Sequence, residues 1–492
     1  MQLTIKNFGP IKKGEIDLSK KFYVFVGYNN SGKTYVSQLL WALCNAKTIR
    51  KFSQSKEIEG LSVEDHNRFE ITQNLIDDIL NRFSAFLTTK VVPEIFNVSK
   101  DHFILNNFSV TFALELNEIR DYTGKLAIQS PHVGETNLNR FFLFNKQKDS
   151  FVVEFEEQEL PERFEHFSVK GLPDFEENQD AIKTSLFVVF VLTMVFKHIH
   201  EPFFLPSNRL IYLVFYQYLY SVEKEKRQKI SKLFGEFLEK KERGEQFNLE
   251  SLPINAFKSV YTEPMDFLFD KIYELNENPT ANSYYDNIIA ELTKILGGDI
   301  VMHKSLGIAP LEFYLKMLSE ELEIYLSSSS VNQLSTLYLY LKYWASEENN
   351  FLLIDEQEEN LHPRNQIALC NMLLKFVRHK NNRVLINTHS PLIAENVNHY
   401  MYLHILSTRY GCDIEDILDD NALNLRADIS ISQDELGVYF FNGKEIINYE
   451  AEDYGVYFRD FQKVNHEVEK KGRILTDYIY LKEHQNENVF DK

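Results

Sequence analysis

Cysteine is scarce in this chain, which has three cysteines among its 492 residues. Cys44, Cys370 and Cys412 lie far apart in the sequence, so no disulfide framework is indicated. Scattered cysteines of this kind are typical of a reducing compartment. The N-terminus begins directly with a strand pattern and shows no signal-peptide features. We therefore expect a cytoplasmic protein.

Long hydrophobic runs and excess positive charge are also lacking. The most apolar stretch, LFVVFVLTMVF at 186–196, is too short to span a bilayer, so it predicts a buried core helix or strand and no membrane contact. The 53 lysines and arginines are outnumbered by 72 aspartates and glutamates, which gives a formal net charge of −19. This balance disfavours nonspecific coating of nucleic acid but leaves room for a local basic patch.

A phosphate-binding loop is the strongest pattern that is present. In GYNNSGKT at 27–34, two glycines enclose four residues and are followed by Lys33 and Thr34. Glycines let the backbone turn tightly, and the helix expected from Thr34 to Leu43 directs its positive N-terminus at the phosphates. A lysine here reaches the β- and γ-phosphates, and the threonine hydroxyl can bind Mg²⁺. The alternative is a glycine turn with a surface lysine, which the preceding strand pattern and the following helix pattern disfavour.

Two acids follow a second predicted core strand. The segment NNFLLIDEQEENLHP has an apolar run, Phe351 to Ile354, that ends in Asp355 and Glu356. A carboxylate at the carboxyl end of a parallel strand can hold Mg²⁺, and the next carboxylate can act as general base on an attacking water. Two solvated acids at a strand end are the alternative, and the phosphate loop argues against it.

A third predicted strand ends in INTHSP, where His389 can reach a γ-phosphate or the attacking water. A lone histidine at a strand end is usually structural. Beside the two motifs above, however, a catalytic role is favoured.

A serine-rich turn precedes a predicted helix in YLSSSSVNQLSTLYLYL at 325–341. Serine is a common helix N-cap, which gives the turn a purely structural interpretation. The functional interpretation is a signature loop that reaches across a dimer, so that hydroxyls and helix N–H groups meet the γ-phosphate bound to another subunit.

In this order, the four motifs resemble the ABC-type ATPase heads of the SMC, RecF and OLD proteins, and in particular the bacterial AAA-15 or OLD-like ATPases. The matching segments are IKNFGPI, GYNNSGKT, FFLPSNR, SSSSVNQL, LIDEQEENLHP and INTHSP. The segments ISQDELGVYFFNGKEI and EDYGVYFRDFQKV resemble the end of that family. The resemblance implies an α/β fold, namely an ABC/SMC-head-like P-loop ATPase with a mixed central sheet and inserted helical lobes. It also implies ATP and Mg²⁺ as cofactors.

The resemblance assigns roles to individual positions. Asp355 is implied as the metal-associated acid together with Thr34, Glu356 as the general base and His389 as the switch histidine. Arg209, in FFLPSNR, matches a family element to which we attach no role from sequence. The implied nucleotide-binding residues are Gly27, Asn30, Ser31, Gly32, Lys33, Thr34, Ser328 and Ser329.

Two positions depart from the family pattern. Ser330 occupies a place in the signature loop where glycine is usual, and Gln357 stands where proline is usual. A side chain at Ser330 can change how closely the helix approaches the γ-phosphate. Both departures bear on the rate of hydrolysis more than on nucleotide binding, so we expect slow hydrolysis of ATP to ADP and phosphate.

Five segments make up the predicted domain organisation, without the Toprim nuclease domain of the OLD proteins. The acidic stretch at 412–420 has the apolar spacing of an amphipathic helix rather than of a nuclease site. The segments are the N-terminal part of the ATPase head (1–50), a helical and strand insertion (51–208), a helical lobe (209–298), the C-terminal part of the head (299–400) and a family tail (401–492).

Three functions are compatible with the sequence. The resemblance implies a nucleotide-gated sensor or regulatory ATPase of a bacterial anti-phage defence module, with a separate nuclease or toxin as effector. Such a chain would form a homodimer through an ATP sandwich, or a higher oligomer. The alternatives are an SMC- or RecF-like DNA-repair ATPase and an ATP-bound scaffold with little turnover.

Each partner has candidate contacts in the sequence. The segment LIYLVFYQYLYSV at 210–222 is the candidate dock for the effector, with a core segment as the alternative. Basic residues in two segments are the candidate contacts with DNA, and the alternative is that they form a solvated charged face. These candidates are Lys47, Arg50, Lys51, Lys224, Lys226, Arg227, Lys229 and Lys232.

Overall fold

The computed structural model describes most of the chain. The described residues are 1–61, 68–122, 124–129, 140–159, 167–168, 179–196, 201–209, 225, 228, 232, 261–275, 280–302, 311–452 and 455–487. The candidate dock at 210–222 and the candidate cations Lys224, Lys226, Arg227 and Lys229 lie outside these residues.

The strands and helices are numbered here in chain order. The strands are β1 Gln2–Phe8, β2 Ile11–Asp17, β3 Phe22–Gly27, β4 Arg68–Glu70, β5 Ser109–Ala113, β6 Gly124–Gln129, β7 Arg140–Lys146, β8 Val152–Glu159, β9 Phe167–Ser168, β10 Phe203–Leu205, β11 Gly298–Met302, β12 Leu311–Leu315, β13 Glu320–Glu323, β14 Phe351–Asp355, β15 Arg383–Asn387, β16 Leu436–Phe441, β17 Glu445–Asn448, β18 Ala451–Glu452 and β19 Gly455–Val456. The helices are α1 Lys33–Cys44, α2 Ala46–Ser53, α3 Gln73–Phe86, α4 Val92–Ile95, α5 Gln179–Val195, α6 Glu263–Glu274, α7 Asp286–Leu296, α8 Ser329–Leu339, α9 Pro363–Arg378, α10 Pro391–Tyr410, α11 Ile414–Asp420 and α12 Arg459–Glu487.

A nine-stranded mixed sheet organises the fold, in the order β10-β14-β15-β3-β16-β17-β2-β1-β5. The strands from β10 to β16 in this order run parallel to one another. β16 pairs antiparallel with β17, and β1 pairs antiparallel with both β2 and β5. The predicted α/β class with a mixed central sheet is therefore confirmed.

The central strand β3 is buried on both faces. Alternating residues of a strand point to opposite faces, and here Tyr23 and Phe25 pack into one hydrophobic cluster while Phe22, Val24 and Val26 pack into another. The first cluster includes α1, α3 and α5, and the second includes α7, α8, α9 and α10. Burial on both faces explains why β3 is continuously apolar rather than alternating.

A five-stranded sheet, β4-β8-β7-β6-β9, forms in the stretch between β3 and β10. Helix α5 contains most of the apolar run at 186–196, whose side chains are buried, so the helix alternative is correct. Across this lobe the ring of Phe187 packs on Phe69 with centroids 4.8 Å apart. Within the part of the chain described, no helix is long and apolar enough to cross a membrane.

Some element boundaries differ from those expected. The apolar spacing of residues 58–98 predicts a largely helical stretch, but this stretch also contains β4, because Phe69 pairs with Val153 of β8. The sequence of residues 321–326 predicts a short strand, but the strand ends at Glu323 and a 3₁₀ turn, Ile324–Leu326, follows. The Ser327 hydroxyl closes that turn by donating to the Ile324 carbonyl at 2.6 Å.

The segment beyond residue 401, expected as a family tail, contributes β16 and β17 to the main sheet. β16 lies parallel to β3 over its whole length, from the Leu436–Phe22 pair to the Phe441–Gly27 pair. The two strands approach so closely that a Cβ at Gly27 would lie 2.2 Å from the Phe441 carbonyl oxygen. Glycine at position 27 is therefore needed for pairing as well as for the turn that follows.

Candidate nucleotide-binding site

Three of the predicted motifs follow strands that are neighbours in the sheet. Gly27 ends β3, Asn387 ends β15 and Asp355 ends β14, and these strands run parallel in adjacent positions. Carboxyl ends of parallel strands meet at one edge of a sheet, which is where ligands bind in open α/β folds. The topology therefore brings the phosphate loop, the two acids and His389 together, as the motif analysis requires.

The phosphate loop has the backbone conformations that its sequence predicts. Gly27, Asn30 and Gly32 have φ values of 145°, 58° and 97°. A left-handed conformation is costly for most residues but readily accessible to glycine and tolerated by asparagine. Gly32 is the N-cap of α1, so the first turn of that helix opens directly onto the loop. This arrangement presents the unpaired N–H groups of a helix N-terminus to an anion.

Lys33 lies within this loop, and 6% of its surface is exposed. Its Nζ donates to the carbonyls of Gly27 at 3.3 Å and Tyr28 at 3.0 Å. Burial lowers the pKa of Lys33, and the carboxylates of Asp355 and Glu356 act in the opposite direction. The ammonium is thus held at the loop by weak acceptors, which the stronger oxygens of a phosphate can replace.

Asp355 joins the acid motif to the phosphate loop. Its Oδ2 accepts a hydrogen bond from the Thr34 hydroxyl at 2.8 Å, and its Oδ1 accepts one from the Asn387 amide at 2.7 Å. The Asn387 side-chain oxygen accepts in turn from the Ser37 hydroxyl at 3.0 Å, one turn along α1. Both carboxylate oxygens are therefore oriented by groups on neighbouring elements.

Glu356 has an unusual backbone. Its φ is 49°, and its N–H donates to the Asn387 carbonyl at 3.0 Å. Residues other than glycine and asparagine rarely adopt this conformation, and strained positions of this kind cluster at functional sites. Burial, and next the Asp355 carboxylate, raise the pKa of Glu356. A raised pKa makes a carboxylate a better proton acceptor.

His389 faces the same acid. Its Nε2 lies 3.9 Å from Glu356 Oε1. Burial, and next the Lys33 ammonium, lower the pKa of His389, which favours the neutral imidazole. The backbone N–H of His389 donates to Glu358 Oε1 at 2.6 Å, so the turn that carries the imidazole is fixed by a third carboxylate.

A cavity of about 780 Å³ connects these groups. Its volume lies within the range of small-molecule and cofactor sites, which is about 300–1,000 Å³. The predicted residues that line it are Asn30, Ser31, Gly32, Lys33, Thr34, Asp355, Glu356 and His389.

The serine loop lies elsewhere. Ser328 is the N-cap of α8, and its hydroxyl accepts from the Val331 N–H at 3.3 Å and lies 2.9 Å from the Ser330 hydroxyl. Ser328 and Ser329 are exposed, and neither lines the cavity. The structural interpretation of Ser328 as a helix N-cap is therefore correct. The predicted contact of the serine loop with a γ-phosphate bound to a second subunit stays a prediction.

Arg209 is buried beneath the site, with 1% of its surface exposed. Its Nε donates to the Gln333 carbonyl in α8 at 2.9 Å, and its Nη1 donates to the Asp355 carbonyl at 2.9 Å and the Pro206 carbonyl at 2.8 Å. Burial lowers the pKa of Arg209 to about 10, and the nearby carboxylates, Asp355 first, oppose that shift. One guanidinium thus joins the helix behind the serine loop to the strand that carries Asp355.

Comparison with protein families agrees with this geometry. The profile of the AAA_15 family, an AAA ATPase domain, matches residues 1–394. The chain belongs to the AAA_15 family. Among curated proteins there is no match to this AAA_15 chain. The matched range ends before β16 and β17, which complete the sheet beside the phosphate loop.

Solved structures similar to this AAA_15 chain include SMC heads. One is an SMC head bound to the C-winged helix domain of ScpA, with 10% identity, coverage of 91% of this chain and 97% of that chain, and a TM-score of 0.34. An Smc head with an extended coiled coil, bound to the C-terminal domain of ScpA from Pyrococcus furiosus, has 10% identity, coverage of 95% and 98%, and a TM-score of 0.31. The SMC head domain from Thermotoga maritima has 11% identity, coverage of 91% and 97%, and a TM-score of 0.29. At these scores the likeness adds no detail to the fold.

Several residues of the AAA_15 site are not among those predicted from sequence. Asn387 bonds to Asp355, Ser37 to the Lys33 carbonyl and Glu358 to the His389 N–H. Asn387 was recognisable as a polar residue at the end of an apolar strand, in the same position as Asp355 on β14. Nothing in the sequence distinguished Ser37 from the other polar residues of its helix.

The basic candidates that the structure describes near α2 have acidic neighbours. Lys47 Nζ pairs with Glu263, and Lys51 Nζ lies 2.7 Å from Glu94. Arg50 Nε donates to the Ala46 carbonyl at 3.4 Å. Contact with DNA through these side chains stays a prediction.

Proposed function

We propose that this chain binds ATP with Mg²⁺ in the phosphate-loop cavity and hydrolyses it, in a site that a second copy of the chain completes. The hydrogen bond of 2.8 Å between Thr34 and Asp355 carries the proposal, because it joins the phosphate loop to the acid strand inside one cavity. Membership of the AAA_15 family supports the same activity.

The residues present fit a magnesium ion. Mg²⁺ prefers oxygen donors, and in phosphate-loop enzymes it is bound by a hydroxyl and a carboxylate together with the phosphates. Here the Thr34 hydroxyl and the Asp355 carboxylate already face each other. When bound, the ion would neutralise phosphate charge, and Thr34 and Asp355 would be its protein ligands.

Each remaining residue has a role set by its position. Lys33 binds the β- and γ-phosphates after leaving the carbonyls of Gly27 and Tyr28. Glu356, with its raised pKa, accepts a proton from the attacking water. His389, whose pKa is lowered by burial and by the Lys33 ammonium, orients that water or the γ-phosphate.

In the proposed dimer, the serine loop of one copy completes the nucleotide site of the other copy. Ser328 and Ser329 are at the N-terminus of an eleven-residue helix and line no part of their own cavity. In a two-fold symmetric dimer each serine loop meets the partner's phosphate loop, and both sites close together. Each loop would then add hydroxyls and N–H groups to the partner's γ-phosphate.

A mixing experiment tests this composite site. We expect the variant Lys33→Ala and the double variant Ser328→Ala/Ser329→Ala to hydrolyse ATP poorly when each is assayed alone. In a mixed dimer one site combines both defects, while the other pairs an intact phosphate loop with an intact serine loop. Statistical mixing should therefore recover about a quarter of the wild-type rate per site.

Three results would contradict parts of the proposal. If the mixture gives only the average of the two variants, the site does not require a second chain. If the wild-type chain shows no binding of Mg²⁺–ATP in calorimetry, the nucleotide assignment is wrong. If sedimentation shows ATP-dependent dimers but steady-state assays show no turnover, the scaffold function replaces hydrolysis.

The biological role that we propose is that of a nucleotide-gated sensor subunit in anti-phage defence, with a separate effector. The resemblance described from sequence supports it, and the DNA-repair ATPase is the rival. Phage plating on strains that lack this gene, the neighbouring gene or both distinguishes the two. Loss of phage protection supports the defence role, whereas sensitivity to DNA damage without loss of protection supports repair.

A further inference from the structure

The cavity beside the phosphate loop has an apolar wall that the proposed hydrolysis does not use. Besides the motif residues, it is lined by Gly9, Pro10, Tyr35 and Phe103. Phosphate binding needs N–H groups and cations, and none of these four residues carries a charged side chain. Their presence in the same cavity requires a different explanation.

Phe103 stands out among them, because 70% of its surface is exposed. It begins a 3₁₀ turn, Phe103–Leu105, whose other two residues, Ile104 and Leu105, are 6% and 8% exposed. The ring therefore projects from a turn that is anchored by its neighbours. Single exposed apolar side chains are common on protein surfaces, but this ring lines the cavity that holds the phosphate loop, where a bound ligand can contact it.

Backbone contacts hold this turn close to the phosphate loop. The Gly9 N–H donates to the Ile104 carbonyl at 2.9 Å. The next residue, Pro10, packs against the loop, since a Cβ at Gly32 would lie 3.2 Å from Pro10 Cγ. The chain thus connects Phe103, through the turn between β1 and β2, to the glycine that caps α1.

We infer that Phe103 is the stacking platform for the nucleobase, and that the site takes purine nucleoside triphosphates. This inference rests on the proposed function. A nucleotide whose phosphates occupy the loop must place its base on another wall of the same cavity, and the exposed aromatic ring there offers a flat apolar face. Stacking uses the flat face of the base and does not depend on the hydrogen-bonding groups at its edge, so ATP and GTP should bind with similar affinity. Pyrimidine nucleotides should bind less tightly, because their smaller bases bury less area against the ring.

Inorganic tripolyphosphate separates the base site from the phosphate site, because it has the phosphates without the base. We expect Phe103→Ala to weaken binding of ATP and GTP about tenfold in calorimetry with Mg²⁺. The affinity for tripolyphosphate should stay unchanged. Phe103→Trp should retain wild-type affinity for ATP, and Phe103→Leu should behave like the alanine variant, because it keeps apolar volume but lacks a ring.

Tyr410→Ala provides the matched control. Tyr410 is 66% exposed, at the end of α10, and does not line the cavity. Loss of the Tyr410 side chain should leave the affinities for ATP, GTP and tripolyphosphate unchanged.

The inference is overturned if Phe103→Ala weakens tripolyphosphate as much as ATP, or if it leaves ATP binding unchanged while the wild type binds ATP. Wild-type binding of CTP and UTP as tight as that of ATP would refute the purine preference. Failure of the wild-type chain to bind ATP at all would instead refute the proposed function, so the two failures are distinguishable.

Discussion

The phosphate loop and the serine loop of this chain differ in how far their side chains are engaged within one subunit. Lys33 is buried against two loop carbonyls, and Thr34 is already bonded to Asp355. In the serine loop, Ser328 and Ser329 are exposed, and the Ser328 hydroxyl caps its own helix by accepting from the Val331 N–H. The phosphate-loop half of the proposed site is therefore organised within one subunit, whereas the hydrogen bonds described for the Ser328 side chain stay within the serine loop and its helix. Four variants test whether this difference reflects two halves of one active site.

The largest effect is expected for Glu356→Gln, on the organised side. The amide can occupy the same position but cannot accept a proton, so kcat should fall about a thousandfold while ATP affinity is retained. Radiolabelled phosphate release and calorimetry measure the two quantities. Glu359→Gln, an exposed position in the same turn, should stay within twofold of wild type. Wild-type turnover by Glu356→Gln would refute its role as base.

Arg209→Met should have the next largest effect, on stability. It removes the buried guanidinium that joins α8 to Asp355 and leaves three carbonyls without that donor. We expect a loss of about 3 kcal/mol, seen as a lower denaturation midpoint. Arg82→Met is the matched control, since Arg82 also donates to two carbonyls but near the surface, and its loss should be much smaller. Equal losses would show that Arg209 does not couple the two regions.

Lys33→Ala should weaken ATP binding about 30-fold, because a charge-assisted phosphate contact is lost. Lys146→Ala offers a close match, since Lys146 is also buried and its Nζ donates to the carbonyls of Arg120 and Tyr122, outside the cavity. Calorimetry with Mg²⁺–ATP should show unchanged affinity for that control. An unaltered affinity in Lys33→Ala would contradict the phosphate-loop assignment.

The smallest effect is expected for the serine loop. Ser328→Ala/Ser329→Ala should lower kcat about tenfold without changing ATP affinity in the monomer. Thr72→Ala removes a comparable N-cap from α3 and controls for the loss of helix stability. If the double serine variant weakens monomer binding as strongly as Lys33→Ala, both loops act within one chain and the comparison fails.

The parts of the site that sequence predicted are those where a local motif determines local geometry. The conformation of Gly27, Asn30 and Gly32 follows from residue type and spacing, and the order of strand and acid placed Asp355. The network around Asn387 could not be predicted, because it depends on β14 and β15 being neighbours, which one sequence does not reveal.

The same limit applies to the fold. The parallel strands β3, β14 and β15 are recognisable in the sequence as apolar runs, whereas β16 lies in the segment that the sequence predicts to be a family tail. Its pairing with β3 is a long-range contact, and its sequence, LGVYFF, has no turn signal that identifies its partner. The position of Phe103 likewise depends on a long-range hydrogen bond, which the Gly9 N–H donates to the carbonyl of the adjacent residue Ile104.

The pairing of β3 with β16 has a consequence for synthesis on the ribosome. The phosphate loop emerges early, but the strand that flanks it on one side is made roughly 400 residues later. At translation rates of about 5–20 residues per second, roughly 20–80 s pass between the synthesis of β3 and that of β16. During this interval a nascent chain has an apolar strand with an open edge, the feature that promotes wrong pairing and aggregation. Pairing with β16 therefore protects an edge of β3 that was made roughly 400 residues earlier.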